Sequence, residues 1–301
     1  MFTSKIGAAR LYLCVVIGLI IFKGAVSWLT GSLSILAQAT DSLLDLVSGI
    51  VTLMAIRVAD KQADEEHPYG HGKVDDIAGV SQGILIAVAG GLIIYSSIHR
   101  IMSGTAMKLA EAGIAVMLVS IVASIILSRH LMKVARISNS AAIEASAHNI
   151  SADVYSALAV MIGLIVVRLT GLSIIDPIIA IAVSVYILKI GYDTIRKPFL
   201  KLIDTRVPTS EEEVIKKCIM RHSQEVVGFH SLRTRQSGEQ YYADLHIVMR
   251  NEISLKQSHE VCDQIEDEIR NKLPNSSITI HTEPCNSECK QCSVICSERK
   301  K

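Results

Sequence analysis

The chain has 301 residues, half of them hydrophobic and only 20% charged, with a formal net charge of +1. Soluble domains usually carry about 25% charged residues, so the chain is poor in charge for a purely soluble protein. With so small a net charge and no basic stripe, nothing points to a nucleic-acid partner. Long apolar runs fill residues 1–199, and acidic residues concentrate after residue 200.

A membrane span needs about 20 mostly apolar residues. Six stretches qualify, at roughly 8–30, 32–57, 77–101, 109–130, 141–168 and 172–194. The first apolar run leads directly into further spans, so no cleavable leader is expected. Very short connections, Thr30-Gly31-Ser32 and Thr170-Gly171, make helical hairpins of spans one and two and of spans five and six. Basic residues gather on one side: Lys5 and Arg10, then Arg57, Lys61 and Lys73, then Arg129, Lys133 and Arg136, then Arg196, Lys197 and Lys201. The excess of Lys and Arg on cytoplasmic loops places both termini and the loop around His67 in the cytoplasm, on a chain spanning the inner (plasma) membrane several times.

Residues 200–285 read as a small α+β domain in the order α-β-β-α-β. Capping-box spacings at Thr209/Glu212 and Ser210/Glu213 open a helix to about residue 221. A strand over 226–235 and a turn at Ser237-Gly238 follow, and Tyr241, Ala243, Leu245, Ile247 and Met249 alternate as one buried strand face. A second helix over 255–273 and a short strand over 277–281 complete the module, and residues 286–301 form a Cys-rich tail.

The chemistry begins inside the membrane. Asp41 and Asp45 are i and i+4, on one face of the second span. Carboxylates at bilayer depth cost several kcal/mol, roughly 2.5–3.5 each by insertion measurements, and mark functional sites by default. The fifth span offers Asn149 and Asp153, also i and i+4, with His148 rotated about 140° from Asp153 on an ideal helix. Asp41, Asp45, Asp153 and one of His148 or Asn149 compose a four-ligand cage; a structural polar cluster is the alternative. Lys23, in the first span, is no ligand, because an ammonium repels cations.

Outside the membrane, Asp64, His67 and His71 lie close enough in one loop to bind zinc or a similar ion, or form a solvated polar turn. The soluble module holds His222, His230, His246, His259 and His281, with Asp244 and Glu283, a dense set for so small a domain that is either a metal centre or scattered surface histidines. Cys285, Cys289, Cys292 and Cys296 spell a thiolate pattern for zinc, copper(I) or iron–sulfur, or a reduced, disordered tail. No P-loop, Rossmann glycine pattern, nucleophile triad or His-Glu-x-x-His motif is present. An enzyme and a nucleotide-driven pump are therefore not expected.

These residues resemble the cation diffusion facilitator family, close to its bacterial zinc and iron efflux members. The resemblance rests on Thr30-Gly31-Ser32-Leu33-Ser34-Ile35-Leu36-Ala37, Asp41-x3-Asp45 and His67-Pro68-Tyr69-Gly70-His71-Gly72-Lys73. It rests also on Leu232-Arg233-Thr234-Arg235-Gln236-Ser237-Gly238 and Ile280-His281-Thr282-Glu283-Pro284-Cys285. It implies a homodimeric, proton-coupled exporter of divalent cations working by alternating access, with Zn2+, Fe2+ or Mn2+ as cargo and Cd2+ or Co2+ as further candidates. It implies a transport site at Asp41, Asp45 and Asp153, a loop site at Asp64, His67 and His71, and a cytoplasmic site at His230, His246, His259, His281 and Glu283, where zinc is expected. It implies further that Lys73 and Asp204 interlock at the dimer interface. One departure matters: Asn149 stands where zinc carriers of the family usually show histidine. A membrane-anchored metal sensor or buffer is the competing expectation, and it leaves the intramembrane acids without a use.

Overall fold

The computed structural model describes residues 4–30, 33–103, 111–170, 174–285 and 295–296; the side chains of Asp41 and Cys296 lie outside the described set. The chain divides into two compact units, Met1–Phe199 and Leu200–Lys301.

The first unit is built of six long helices: α1 (Lys5–Thr30), α2 (Leu33–Ala59), α3 (Lys73–Ser103), α4 (Glu111–Ser138), α5 (Ala141–Thr170) and α6 (Ile175–Leu202), whose last turn runs into the second unit. Among the described residues five of them, α1 to α4 and α6, are long and apolar enough to cross a membrane. The fifth, α5, has 30 residues and carries Glu144, His148, Asn149 and Asp153 in its first half. At 1.5 Å per residue, helices of this length reach about 40–46 Å, beyond a hydrocarbon core of about 30 Å. The extra length shows in α3, which begins at Lys73, and in α4, which continues to Ser138, past the apolar runs that announce them.

Small residues bring these helices close. Buried Ala8, Ala9 and Tyr12 of α1 pack with Ala55 and Ile56 of α2, Leu127 and Leu131 of α4, and Ala142, Ile143 and Ala147 of α5. A Cβ at Gly49 would meet Tyr12 Cε1 at 2.7 Å, so only glycine lets the tyrosine ring lie across α2. A second cluster joins Ile86 of α3, Ala152 of α5 and Ile187 of α6. The start of α5 is capped from α3: the Asp75 carboxylate accepts from Ser140 Oγ at 2.7 Å and from the Ala141 N–H at 2.6 Å. A carboxylate at a helix N-terminus satisfies orphan amides and complements the helix dipole.

The second unit contains α7 (Thr209–Ile219), a single 3-10 turn, β1 (Val226–Ser237), β2 (Gln240–Met249), α8 (Leu255–Lys272), β3 (Ser276–Pro284) and β4 (Ile295–Cys296). The sheet order is β3-β2-β1-β4. β1 and β2 form an antiparallel hairpin, while β2 and β3 are parallel and α8 makes the crossover between them. Ile215 and Ile219 of α7 and Val261, Ile265 and Ile269 of α8 pack with Phe229, Ala243, Leu245, Ile247 and Ile278, so both helices cover one sheet face.

Two local expectations change. Neither capping box forms at α7: Pro208 is the N-cap, its carbonyl accepts from Glu211 and Glu212, and there is no side-chain cap. Proline's fixed φ suits a helix start, so the helix begins before either hydroxyl can cap it. The box that forms is at α8, where Ser254 Oγ accepts from the Gln257 N–H and the Gln257 side chain accepts from the Ser254 N–H. Ser254→Ala should lower the stability of this unit by about 1 kcal/mol, read as a shift of its urea midpoint at unchanged slope. The short strand expected at 277–281 is nine residues long, because its register with β2 continues to Met249 and Pro284.

Candidate metal centres

Two groups of three ligand atoms, all within 4.8 Å of one another, occur among the described residues: Asp64, His67 and His71, and His230, His246 and Glu283.

The first is a closed turn before α3. The Asp64 N–H donates to the His67 carbonyl and the His67 N–H returns to Asp64 Oδ1 at 2.7 Å. Gly70, at φ +77°, supplies a left-handed residue that a side chain would strain. His67 Nδ1 sits 3.1 Å from Asp64 Oδ1 and His71 Nε2 3.4 Å from Oδ2, with the rings 4.4 Å apart. Donation from the His67 backbone N–H, aided by its side chain and by His71, holds the Asp64 carboxyl below its ordinary range. His71 presents Nε2 to Asp64, and its Nδ1 is buried with no hydrogen-bond partner among the described residues.

The second group lies on the sheet face opposite the helices. His230 pairs with His246 across β1 and β2, and His246 with His281 across β2 and β3, so three strands set three imidazoles in one row. Glu283 lies two residues beyond His281, on the same face. Its carboxylate meets His230 Nε2 at 3.1 Å and His246 Nδ1 at 2.7 Å. Those hydrogen bonds, His246's first, hold it below the usual carboxylate range. His281 stands further off, with Nε2 at 3.8 Å from Glu283. A bulge follows His230, where Ser231 adopts φ +53° and its hydroxyl meets His230 Nδ1 at 3.0 Å. That contact leaves Nε2 facing the carboxylate, the outer support that metal-binding histidines need. Ser231 escaped the sequence reading because only the bulge turns it toward His230. His259 is not brought into the row: it is exposed on α8, with Nε2 3.7 Å from Asp263.

Inside the first unit, Asn149 Nδ2 donates to Asp45 Oδ1 at 2.9 Å, joining α2 to α5. Asp153 lies one turn further along α5. His148 turns away to Glu144, 3.7 Å distant, and Glu144 also holds Lys197 at 2.6 Å. The Glu-x3-His spacing, i and i+4, was the signal for that pair. Tyr12, which no motif marks, donates its hydroxyl to the Asp45 carbonyl at 3.0 Å. Lys23 reaches Ser42 Oγ at 2.8 Å, beside the same turn of α2.

Lys73 opens α3 in the first unit, and Asp204 in the second, at φ +58°, lies 3.7 Å from Arg235. Cys285 is half-buried against Val227 and Val248, and the backbone of Ile295–Cys296 pairs with Gly228 and Phe229 on the outer edge of β1. Cys289 and Cys292 lie outside the described residues, as does the Cys296 side chain.

Apolar membrane helices crossed by a carboxylate–amide contact, joined to a small sheet bearing a His/Glu cluster, define a membrane transporter of metal cations. The family model of the cation efflux transmembrane domain matches residues 9–203, and that of the cation efflux protein cytoplasmic domain matches residues 207–285. The chain belongs to the cation diffusion facilitator family, whose members are multi-pass membrane transporters of metal cations and not enzymes. It is 32% identical over 272 residues to the cation-efflux pump FieF of Salmonella paratyphi A, covering 89% of each chain. It is 29% identical over 256 residues to the uncharacterised transporter sll1263 of Synechocystis, covering 85% of this chain and 83% of that one. A solved structure of CzrB in a Zn form is 29% identical over 27% of this chain and 92% of its own, with a TM-score of 0.26.

Proposed function

We propose that this chain is a proton-coupled homodimeric exporter of divalent transition-metal ions, resident in the inner membrane with both termini in the cytoplasm. The observation that carries the reading is the Asp45–Asn149 contact at 2.9 Å between two long helices. It brings Asp45 of α2 against Asn149 of α5, where an unpaired charge would be costly. Asp41, Asp45, Asn149 and Asp153 then form the transport site, and Asn149 rather than His148 supplies the fourth ligand.

Three carboxylates and an amide oxygen are hard donors, and they favour manganese or iron(II) over zinc relative to a site with an imidazole. Deprotonated carboxylates take the ion on the cytoplasmic side; after the helices rearrange, protons compete for the same oxygens and the ion leaves, because metal ligands must be deprotonated. In the cytoplasmic domain His230, His246 and Glu283 suit zinc, which takes nitrogen and carboxylate ligands in a tetrahedral shell. The cytoplasmic family module and the open sheet face that carries this cluster support assembly of two copies. His259, His281 and Asp263 remain for a second ion or the partner copy, the Lys73–Asp204 interlock for the same interface, and the cysteines of residues 285–296 for a soft thiolate-bound cation.

The test is metal uptake by inside-out vesicles under an imposed proton gradient. Wild-type uptake should follow the gradient, and Asp45→Ala should reduce it to the rate of empty vesicles. Uptake by Asp45→Ala at the wild-type rate, with metal still bound to the cytoplasmic cluster, would instead identify a membrane-anchored sensor or buffer.

A further inference from the structure

One buried polar group on α3 has no part in the ligand sets above. Gln82 is 2% exposed, and it reaches Thr52 of α2, 1% exposed, and Ser146 of α5, 1% exposed. Its amide nitrogen donates to Thr52 Oγ1, and its amide oxygen accepts from Ser146 Oγ at 3.2 Å. The two hydroxyls also meet each other at 3.1 Å. Thr52 lies two helical turns from Asp45, and Ser146 one turn from Asn149, so the Thr52–Ser146 contact and the Asp45–Asn149 contact share one α2/α5 seam. Ile56, Ala78, Ile86 and Ile143 nearby on the same three helices are buried as well, leaving the trio in apolar surroundings.

We propose that Gln82 is a positioning residue for the intramembrane cation site: its amide clasps α2 to α5 and sets the separation of Asp45 from Asn149 and Asp153. The geometry calls for an amide. Gln82 must donate to one helix and accept from the other, and a carboxylate, an ammonium or an alkyl chain does not do both. It sits on α3, which contributes no ligand but begins directly after the Asp64–His67–His71 turn, where the Val74 N–H donates to the His71 carbonyl at 3.0 Å. Hard-donor sites discriminate among cations by cavity size and ligand number. A seam held at fixed width is therefore a selectivity device, and a loosened seam admits larger cations.

The clasp can be removed without stranding its partners. Thr52 Oγ1 reaches the Ser48 carbonyl at 3.0 Å, and Ser146 Oγ, once its single proton is released by the lost amide oxygen, turns it to the Ala142 carbonyl at 3.0 Å. Gln82→Leu leaves both hydroxyls bonded to their own helices.

This proposal rests on the α2/α5 seam being the cation site, and the experiment separates the two. Initial uptake rates are measured in liposomes of the full chain, across concentrations of manganese, zinc and cadmium, for the wild type, Gln82→Leu, Thr52→Val, the double variant and Asp45→Ala. Gln82→Leu should raise the half-saturating concentration of the best-carried ion by about 10- to 100-fold, the range for groups that support metal ligands. Its rate at saturation should stay within about threefold, because binding and not translocation is lost, and cadmium should gain on the smaller ions. Thr52→Val should move in the same direction, and the double variant should be no worse than Gln82→Leu, because both break one network. Unchanged half-saturation and unchanged cadmium preference in Gln82→Leu, or additive losses in the double variant, overturn the proposal. Should Gln82→Leu fail to elute as a folded protein in detergent, Thr52→Val decides alone. An active Asp45→Ala removes the site reading and this proposal together. An inactive Asp45→Ala beside a silent Gln82→Leu removes this proposal only.

Discussion

Asn149→His should shift this transporter toward zinc. Asn149 already lies against Asp45 at 2.9 Å and one turn from Asp153, so an imidazole there enters a finished pocket. The exchange replaces a hard amide oxygen with a borderline nitrogen donor, which zinc prefers and manganese does not. The zinc-to-manganese ratio in competitive uptake should rise by at least about tenfold, which is ~1.4 kcal/mol of differential binding. The matching His148→Ala variant should leave the ratio where it was, since His148 faces Glu144 instead. A constant ratio in Asn149→His, or a changed one in His148→Ala, would sink the assignment of Asn149 as the fourth ligand.

The second large effect concerns the sheet. Glu283 is the group that both close imidazoles contact, at 3.1 and 2.7 Å. Glu283→Ala should weaken zinc binding at this cluster by about 100-fold or more, at the upper end of what removal of a supporting group alone costs. Competition against a zinc chelator measures it, and association of two copies on zinc addition should fail at the same concentrations. Acid should act through different groups in the free and the metal-bound protein. The Glu283 carboxyl is held below its ordinary value by His246 and His230. The stability it confers is fully present above the ordinary glutamate value of about 4.3, and is lost only as pH falls through the lowered one. Zinc binding is weakened by acid through the imidazoles as well, because they bind metal only when neutral. Undiminished zinc affinity in Glu283→Ala would remove the residue from the centre.

Much of this was legible before any coordinates, where the physics is local. Apolar runs in the first 200 residues announce the membrane helices, and strict alternation from Tyr241 to Met249 announces β2. The i,i+4 spacing of Asn149 and Asp153 needs only the helix repeat. What stayed hidden depends on packing. Nothing in the chain order says that residues 230, 246 and 281 share a row; the register of two ladders, one of them parallel, makes them neighbours. Whether His148 or Asn149 meets Asp45 is decided by how α5 is turned against α2, which a five-residue offset leaves open. Gln82 and Asp75 carry no motif, because their partners lie on other helices. The expected capping boxes at α7 failed for a local reason, Pro208, and that one was readable.

The row of imidazoles also constrains the order of events during synthesis. Its ligands come from three strands, and the last, Glu283, is made 53 residues after His230. At about 5–20 residues per second, a chain already committed to the membrane spends roughly 3–10 s between its first histidine of the row and the carboxylate that completes the set. On the proposed assignment, metal at this cluster stabilises only a chain whose crossover helix and third strand have been delivered. A product truncated before β3 would carry the membrane helices and lack Glu283, the group that both close imidazoles contact.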